Sequence, residues 1–496
     1  MSDRPTAEVV APEIAAPAVV APGPLPPETV VPQHLLLVLP TTGEFDSRTY
    51  RIATTCIGRG HTVTVLSRHK GDLPWREDHP AGFTIIRVLA TAEDGMPLRR
   101  VVRAGRVLVR RLESIVTRRP YVPPSVPRAL ATAPPPPPGT SEDGAPAATK
   151  GVMDSPAETA SRVPLHVRGW MGVYRRLAIP LQIRSHRKNA RKVAPRGDLV
   201  HGMAFMGIPV ALTVAQRDDV PVIYDARDIH LDARNMARMG RPARWLLGRA
   251  ERGWAAASSK VITVNDSYAD VLASRWPGGR PLVVMNCSYR FTPPVPRERR
   301  FHEMLGLPAE QRVVLYHGGL FPWRGIEQLI EAIRDVPEAT LVLMGYGVLE
   351  PTLRAWEADP ALGGRVRVMG PVPPADLHDW VACADVVGMP IQGDTLNHRL
   401  TTPNKLFEAM AAGVPAVVSD LPGMSTVVRD AGSGVLVDPT DTVAIAAAIR
   451  QILDLPEAEW LAWSRRCVAA AHDRYNWETQ VERLLDAYTD LTGKRW

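Results

Sequence analysis

Two short stretches hold the residue types from which an anion site is built. The first runs Tyr316-His317-Gly318-Gly319-Leu320-Phe321-Pro322-Trp323-Arg324-Gly325. An apolar run of strand length ends in paired glycines, a loop follows with one cation, and a helix is predicted over Ile326–Ile333. Glycine lets backbone approach a ligand closely, and a helix start supplies unpaired N–H groups and positive potential. Arg324 adds a permanent charge suited to a pyrophosphate. The plainer reading is a tight turn carrying a solvated arginine.

The second stretch is Thr402-Pro403-Asn404-Lys405-Leu406-Phe407-Glu408, continuing through an Ala-rich helix to Gly413 and Pro415. Proline near the first turn and a lysine beside it fit anion binding at a helix N-terminus. Glu408, one turn further along, is placed to accept hydrogen bonds from ribose hydroxyls. The plainer reading is a capped helix with surface charges. No Asp-x-Asp occurs in the chain, so metal-assisted chemistry has no obvious ligands and no metal is expected. Cys56, Cys287, Cys383 and Cys467 form no Cys-x-x-Cys pair. A zinc site or disulfide framework is not expected, and a reducing cytoplasm fits.

Elements to position these residues are legible along the chain. Short apolar runs at His34–Leu39, Thr62–Leu66, Phe83–Val88, Leu199–His201, Pro221–Tyr224, Lys260–Val264 and Pro281–Met285 alternate with helical patterns. A Pro- and Arg-rich linker, Phe291–Arg300, follows. The alternation then resumes with Val313–Tyr316, Thr340–Met344, Val366–Met369, Val386–Met389, Ala416–Ser419 and Gly434–Val437. Two runs of alternating strand and helix predict an α/β protein with two doubly wound, Rossmann-like domains facing across a cleft. The expected boundaries are a disordered tail at 1–32, a first domain at 33–295 and a second at 296–475. A C-terminal helix at 476–496 is expected to pack back toward the first domain. The 48 prolines concentrate in the tail and around 120–164, which reads as a disordered insert within the first domain.

Composition narrows the partners. The net charge of +7 suggests an anionic one, and nucleotide, lipid head groups and nucleic acid all qualify. No zinc finger, RNP-like aromatic pattern or helix-turn-helix signature supports nucleic acid, which is not expected. The N-terminus is broken by Pro5, Pro12, Pro17 and Pro22 and does not read as a secretory signal. No uninterrupted apolar stretch of about 18 residues predicts a spanning helix.

Taken together and in order, these blocks strongly resemble the glycosyltransferase family 4 group, retaining enzymes of the GT-B fold. The resemblance extends over nearly all of 34–490. It is densest at Tyr316–Leu320 with Arg324-Gly325, Leu341–Gly347, Val366–Pro371, Pro403–Asp420, Gly432–Asp438 and Tyr475-Asn476-Trp477. In the first lobe it rests on Asp198–His201, Val222–Asp228, Val261–Ser267 and Val283–Asn286. The resemblance implies transfer of a sugar from a nucleotide diphosphate sugar to a saccharide or lipid-linked acceptor, without a cofactor. It places Arg324 on the diphosphate and Glu408 on the donor ribose. Backbone N–H groups around Pro403, Asn404, Lys405 and Leu406 would hold the diphosphate, with Gly318 and Gly319 beside it. The loops after Met344 and Met369, with Gly345 and Gly347, would line the nucleobase pocket. Arg324, Lys405 and Glu408 are the residues expected to carry catalysis.

Two positions depart from the family pattern. Leucine stands at 400, where an acid would engage the sugar, and Gly319 replaces an arginine. Arg399 and Lys405 are candidates for the missing charge. Retaining transfer would use the donor phosphate to help deprotonate the acceptor on the same face, with stabilisation of the leaving diphosphate. The competing readings are a catalytically silent GT-B protein that binds nucleotide or glycan for a partner, and a sugar-nucleotide epimerase.

On the acceptor side, Thr42 and Gly43 follow the opening strand. Asp46, next to them, fits either an acceptor loop or a helix cap. His201, Asp225 and Asp228 follow strands and are expected to face the cleft. Two basic segments, Arg99–Val116 and Trp170–Lys192, carry apolar residues at helical spacing. They fit an anionic membrane surface on the cytoplasmic side or ordinary lobe helices with solvated arginines.

Overall fold

The computed structural model describes residues 31–44, 46–92, 94, 165–236 and 239–496, with side chains of the helix at 165–193 described from 178 onward. The tail before residue 31, the Pro-rich insert and Arg99–Val116 lie outside the described residues.

The first lobe is an eight-stranded sheet ordered β3-β4-β2-β1-β5-β6-β7-β8. Its strands are β1 (His34–Val38), β2 (Thr62–Arg68), β3 (Arg76–Asp78), β4 (Thr84–Val88), β5 (Leu199–Met203), β6 (Val222–Ala226), β7 (Lys260–Thr263) and β8 (Leu282–Val283). All pairings are parallel except β3 with β4. β3 is not readable in the sequence: Arg-Glu-Asp has no apolar period, and such charge suits a solvated sheet edge. β8 is shorter than expected: the Val284 N–H still donates to the Thr263 carbonyl of β7, but the Met285 N–H goes to the Gln480 side chain instead of a strand.

The second lobe is a six-stranded parallel sheet ordered β11-β10-β9-β12-β13-β14. These strands are β9 (Arg312–Gly319), β10 (Ala339–Tyr346), β11 (Val366–Met369), β12 (Val386–Met389), β13 (Ala416–Ser419) and β14 (Gly434–Val437). β9 and β10 run further than the apolar pattern indicates because their glycines continue the ladder, Gly345 opposite Gly318 and Tyr346 opposite Gly319.

Alternate residues of each strand enter opposite cores. Leu35 and Leu37 pack on one face of the first sheet, Leu36 and Val38 on the other. Val313 and Leu315, then Val314 and Tyr316, divide likewise in the second. Burial on both faces explains why these strands read as continuous apolar runs.

The helix Glu457–Asp473 belongs to the second-lobe core through Cys467 and Ala471. The chain then crosses, and Asn476 caps the helix Trp477–Thr492 by accepting from the Thr479 N–H at 2.8 Å. Trp477, Leu484, Leu485 and Tyr488 complete the first-lobe core.

Tyr488 also reaches a buried polar cluster. Its hydroxyl lies 2.6 Å from His201 Nδ1, whose Nε2 is 3.4 Å from Asp225 Oδ2. Arg48 Nε donates to that same oxygen at 2.6 Å, and its Nη1 donates to the Val284 carbonyl. Burial pushes the Asp225 carboxyl up, but Arg48 and then His201 outweigh it and hold it below its usual value. Burial lowers His201 despite Asp225, so the ring is neutral at pH 7. The expectation that His201 and Asp225 face the cleft is therefore corrected: both are 0% exposed and fasten helix Ser47–Gly58 and the C-terminal helix to the sheet. Strand-end position says nothing about which side chains are free; the buried Arg48, second residue of the helix after β1, claims Asp225, and Tyr488 claims His201.

Replacing Asp225 by alanine leaves Arg48 buried without its counter-charge, an expected cost of about 3–5 kcal/mol in denaturant unfolding. Because the folded-state carboxyl titrates below the unfolded one, this stabilisation is complete above about pH 4 and fades as pH falls. Wild type and Asp225→Ala should then differ less in urea midpoint at pH 3 than at pH 7.

Candidate functional site

The site gathers where the strand order reverses in the second sheet, beyond the carboxyl ends of β9 and β12, the crevice at which open α/β sheets bind ligands. β9 and β10 come unusually close there. A Cβ on Gly345 would lie 1.9 Å from the Gly318 carbonyl oxygen, so no side chain fits. Gly347 passes Leu320 in the same manner, and Gly318 and Gly319 end β9. The loop then swings against Pro390: Gly325, at φ +81°, would put a Cβ 2.1 Å from the Pro390 oxygen. Trp323 adopts φ +71° within this loop, and its carbonyl accepts from the Gln392 N–H. Gly325 caps the helix Ile326–Ile333, so Arg324 stands at the start of that helix.

Helix Asn404–Ala411 brings the second stretch to the same place, with Pro403 at its N-cap. Lys405 folds inward until Nζ lies 3.4 Å from the centre of the Tyr316 ring. It is only 9% exposed, and Nζ has no hydrogen-bond partner. Burial, then the neighbouring Arg324, hold its pKa well below the usual lysine value, with Glu408 opposing. Arg324 is half-buried and forms no ion pair among the described residues. Two cations thus share a glycine-lined space and two helix starts without a carboxylate between them.

Glu408 lies one turn behind Lys405. Burial raises its pKa, while Arg51 from the first lobe and Lys405 draw it back. Its Oε2 is 3.5 Å from His317 Nδ1. His317 is held well below its ordinary pKa by burial, Lys405 and His378, so the ring is neutral and its Nε2 has no partner.

The remaining sequence candidates divide. Asn404 turns across the cleft: its Oδ1 accepts from Asn286 at 2.8 Å and its Nδ2 donates to Ser47 Oγ at 3.2 Å. Leu406 is a core residue, and its N–H donates to the Pro403 carbonyl, so that backbone group is already engaged. Met369 ends β11, half-buried. Arg399 is exposed, whereas Lys405 stands beside Arg324. Thr42 donates to Glu44, and Gly43 packs near Ser67. Asp46 proves to be a helix cap, accepting from Thr49 and paired with Arg227 at 2.8 Å. Cleft residues the sequence did not single out are Arg51, Asn265, Tyr268 and Asn397. Asn265 follows a buried strand at its carboxyl end, the one signal that could have found it.

The described part of the Trp170–Lys192 segment is a lobe helix. Ile183, His186 and Ala190 are buried, while Arg184, Arg187, Lys188, Arg191 and Lys192 are exposed. No helix of the described residues is long and apolar enough to cross a membrane.

Known proteins share this architecture. Sucrose-phosphate synthase from Thermosynechococcus elongatus superimposes with a TM-score of 0.63 at 17% identity, covering 93% of this chain and 99% of that one. Anabaena HepE in complex with UDP and glucose gives a TM-score of 0.58 at 16% identity, covering 92% of this chain and 100% of that one. These likenesses define the fold as GT-B. In sequence, residues 311–455 match the family described as "Glycosyl transferases group 1". A D-inositol 3-phosphate glycosyltransferase of Xylanimonas cellulosilytica is 33% identical over 216 residues, 41% of this chain and 49% of that protein. The chain spans about half the length of the first curated relatives it matches. The family likeness thus falls on the second lobe, the part of the chain that carries Tyr316–Gly325 and Pro403–Glu408.

Burial of Lys405 Nζ without a hydrogen-bond partner carries a desolvation cost that the Tyr316 ring offsets in part. Lys405→Met should match or exceed wild type in Tm while binding inorganic pyrophosphate at least about tenfold more weakly by calorimetry. An anion between the two cations favours charged Lys405, so binding takes up a proton. The ligand's own ionisation is common to both proteins, so pyrophosphate affinity should fall more steeply, or rise less, with pH in the wild type than in Lys405→Met.

Proposed function

We propose that this chain is a retaining glycosyltransferase that uses a nucleotide diphosphate sugar as donor. The observation that carries the reading is the pair Arg324 and Lys405, two basic side chains in no ion pair among the described residues, at adjoining helix starts, with Glu408 one turn away. A diphosphate is the ligand whose charge and size suit them. Glu408 would accept the ribose hydroxyls, and the loops after β10 and β11, around Gly345, Gly347 and Met369, would hold the base.

Chemistry at such a site rests on stabilising the leaving diphosphate as the glycosidic bond breaks. Arg324 and Lys405 supply that positive charge from side chains. The donor phosphate would take the acceptor proton on the face it leaves, which retains configuration. The contacts of Asn404 with Asn286 and Ser47 join the lobes beside this space.

For the acceptor, the reading extends to a saccharide or lipid-linked molecule in envelope or glycoconjugate synthesis. The exposed row Arg184, Arg187, Lys188, Arg191 and Lys192 supports an anionic membrane surface beside it. Four free, buried cysteines suit the cytoplasmic side. Sedimentation with vesicles of anionic and of neutral lipid tests this part: equal binding to both would remove the membrane.

Purified protein should be stabilised in thermal shift by one of UDP, GDP or ADP. With the matching sugar nucleotide it should release diphosphate slowly without acceptor. Arg324→Ala should lower that turnover by about 10²-fold or more; unchanged turnover would refute the assignment.

A further inference from the structure

Leucine at position 400 raises the question of what grips the donor's sugar. The segment around it is occupied otherwise. The Leu400 carbonyl accepts from Asn265 Nδ2 at 2.8 Å, and the same amide donates to Thr402 Oγ1 at 2.6 Å. Three residues earlier, Asn397 is 7% exposed and acts as a hub between the lobes. Its Oδ1 accepts from the Ile229 N–H and from the Tyr268 hydroxyl, each at 2.8 Å. With that oxygen serving two donors, the amide orientation is fixed, and Nδ2 must find an acceptor. It finds Asp228 Oδ1 at 3.2 Å.

Asp228 stands just beyond the carboxyl end of β6 and is exposed. Neighbouring Arg227 is committed to Asp46 through both carboxylate oxygens, each at 2.8 Å. Asp228 itself forms no ion pair among the described residues. One of its oxygens is therefore held by Asn397 while the other has no hydrogen-bond partner among the described residues. The phenol of Tyr268 lies within the fields of both Asp228 and Arg324, so the carboxylate and the diphosphate cation flank a common side chain.

We propose that Asp228 is the carboxylate that positions the donor's sugar, supplied by the first lobe in place of the acid absent at 400. This rests on the glycosyltransferase reading above. An ionised carboxylate is an acceptor only, suited to the hydroxyls of a hexose. Because Asp228 meets Asn397 across the cleft, this grip exists only when the lobes are together. The sugar is then engaged after the nucleotide, as closure assembles the site.

The test compares two ligands on one protein. For whichever of UDP or GDP binds, calorimetry gives Kd for the bare diphosphate and for its hexose conjugate. Asp228→Asn should leave the diphosphate Kd within about twofold and weaken the conjugate about tenfold or more. Asn397→Ala, which releases the carboxylate without removing it, should show the same split more mildly, and Asp228→Glu should recover part of the loss. Equal weakening of both ligands with a lowered Tm would mean that Asp228 serves only the lobe contact, and unchanged conjugate affinity would also overturn the proposal. If wild type binds neither nucleotide, the glycosyltransferase reading itself fails; if acceptor KM alone moves, the donor-sugar assignment falls while that reading stands.

Discussion

The site depends on an electrostatic tension: Lys405 lies in the field of Arg324, and neither is held in an ion pair among the described residues. Like charges in a space of lowered polarity repel, and a lysine so placed loses affinity for its proton. The fold tolerates this because glycines at the ends of β9 and β10 draw backbone tightly around the pair and the Tyr316 ring offers its electron-rich face to Lys405. Glu408 relieves the repulsion in part but is itself divided between Lys405 and Arg51. An anion placed beside the pair would resolve the tension.

The first lobe completes what the second begins. Arg51 approaches Glu408, Asn286 and Ser47 hold Asn404, and Asn265, Tyr268 and Asp228 hold the segment from Asn397 to Thr402. Polar contacts of this sort reform readily when surfaces part and meet. They suit an interface that opens to admit substrate better than an apolar one would. Behind the interface, Arg48, Asp225, His201 and Tyr488 form a rigid polar core, and its cost in desolvation is met by close pairing.

Much of the architecture was legible in the sequence because strands buried on both faces leave unbroken apolar runs, and Gly325, Pro403 and Gly413 punctuate the helices. Length and edges were less legible. β9 and β10 continue through glycines that carry no apolar signal, and β3 is a strand by position in the sheet rather than by composition. In the site, the residues of the second lobe were readable since Arg324, Lys405 and Glu408 lie within local motifs. The first-lobe partners were not, because Arg51, Asn265 and Tyr268 acquire meaning only from residues more than a hundred positions away. His201 and Asp225 mislead for the same reason: proximity to a strand end is local, whereas the partner that buries them comes from another helix.

The C-terminal helix has a mechanical side. Chain passes between the lobes once on leaving β8 and again at Asn476, and the two passages are laced together: the Trp477 N–H donates to the Ser288 carbonyl at 2.7 Å, and Arg290 Nε donates to the His472 carbonyl at 3.0 Å. A single thread would let the lobes twist freely about it. Two threads fastened side by side behave as a strip, which bends easily in one direction and resists torsion. Any parting of the lobes would be steered by such a strip toward hinging rather than twisting, and a hinge would return Asn397 to Asp228 and Asn404 to Asn286 in the same register.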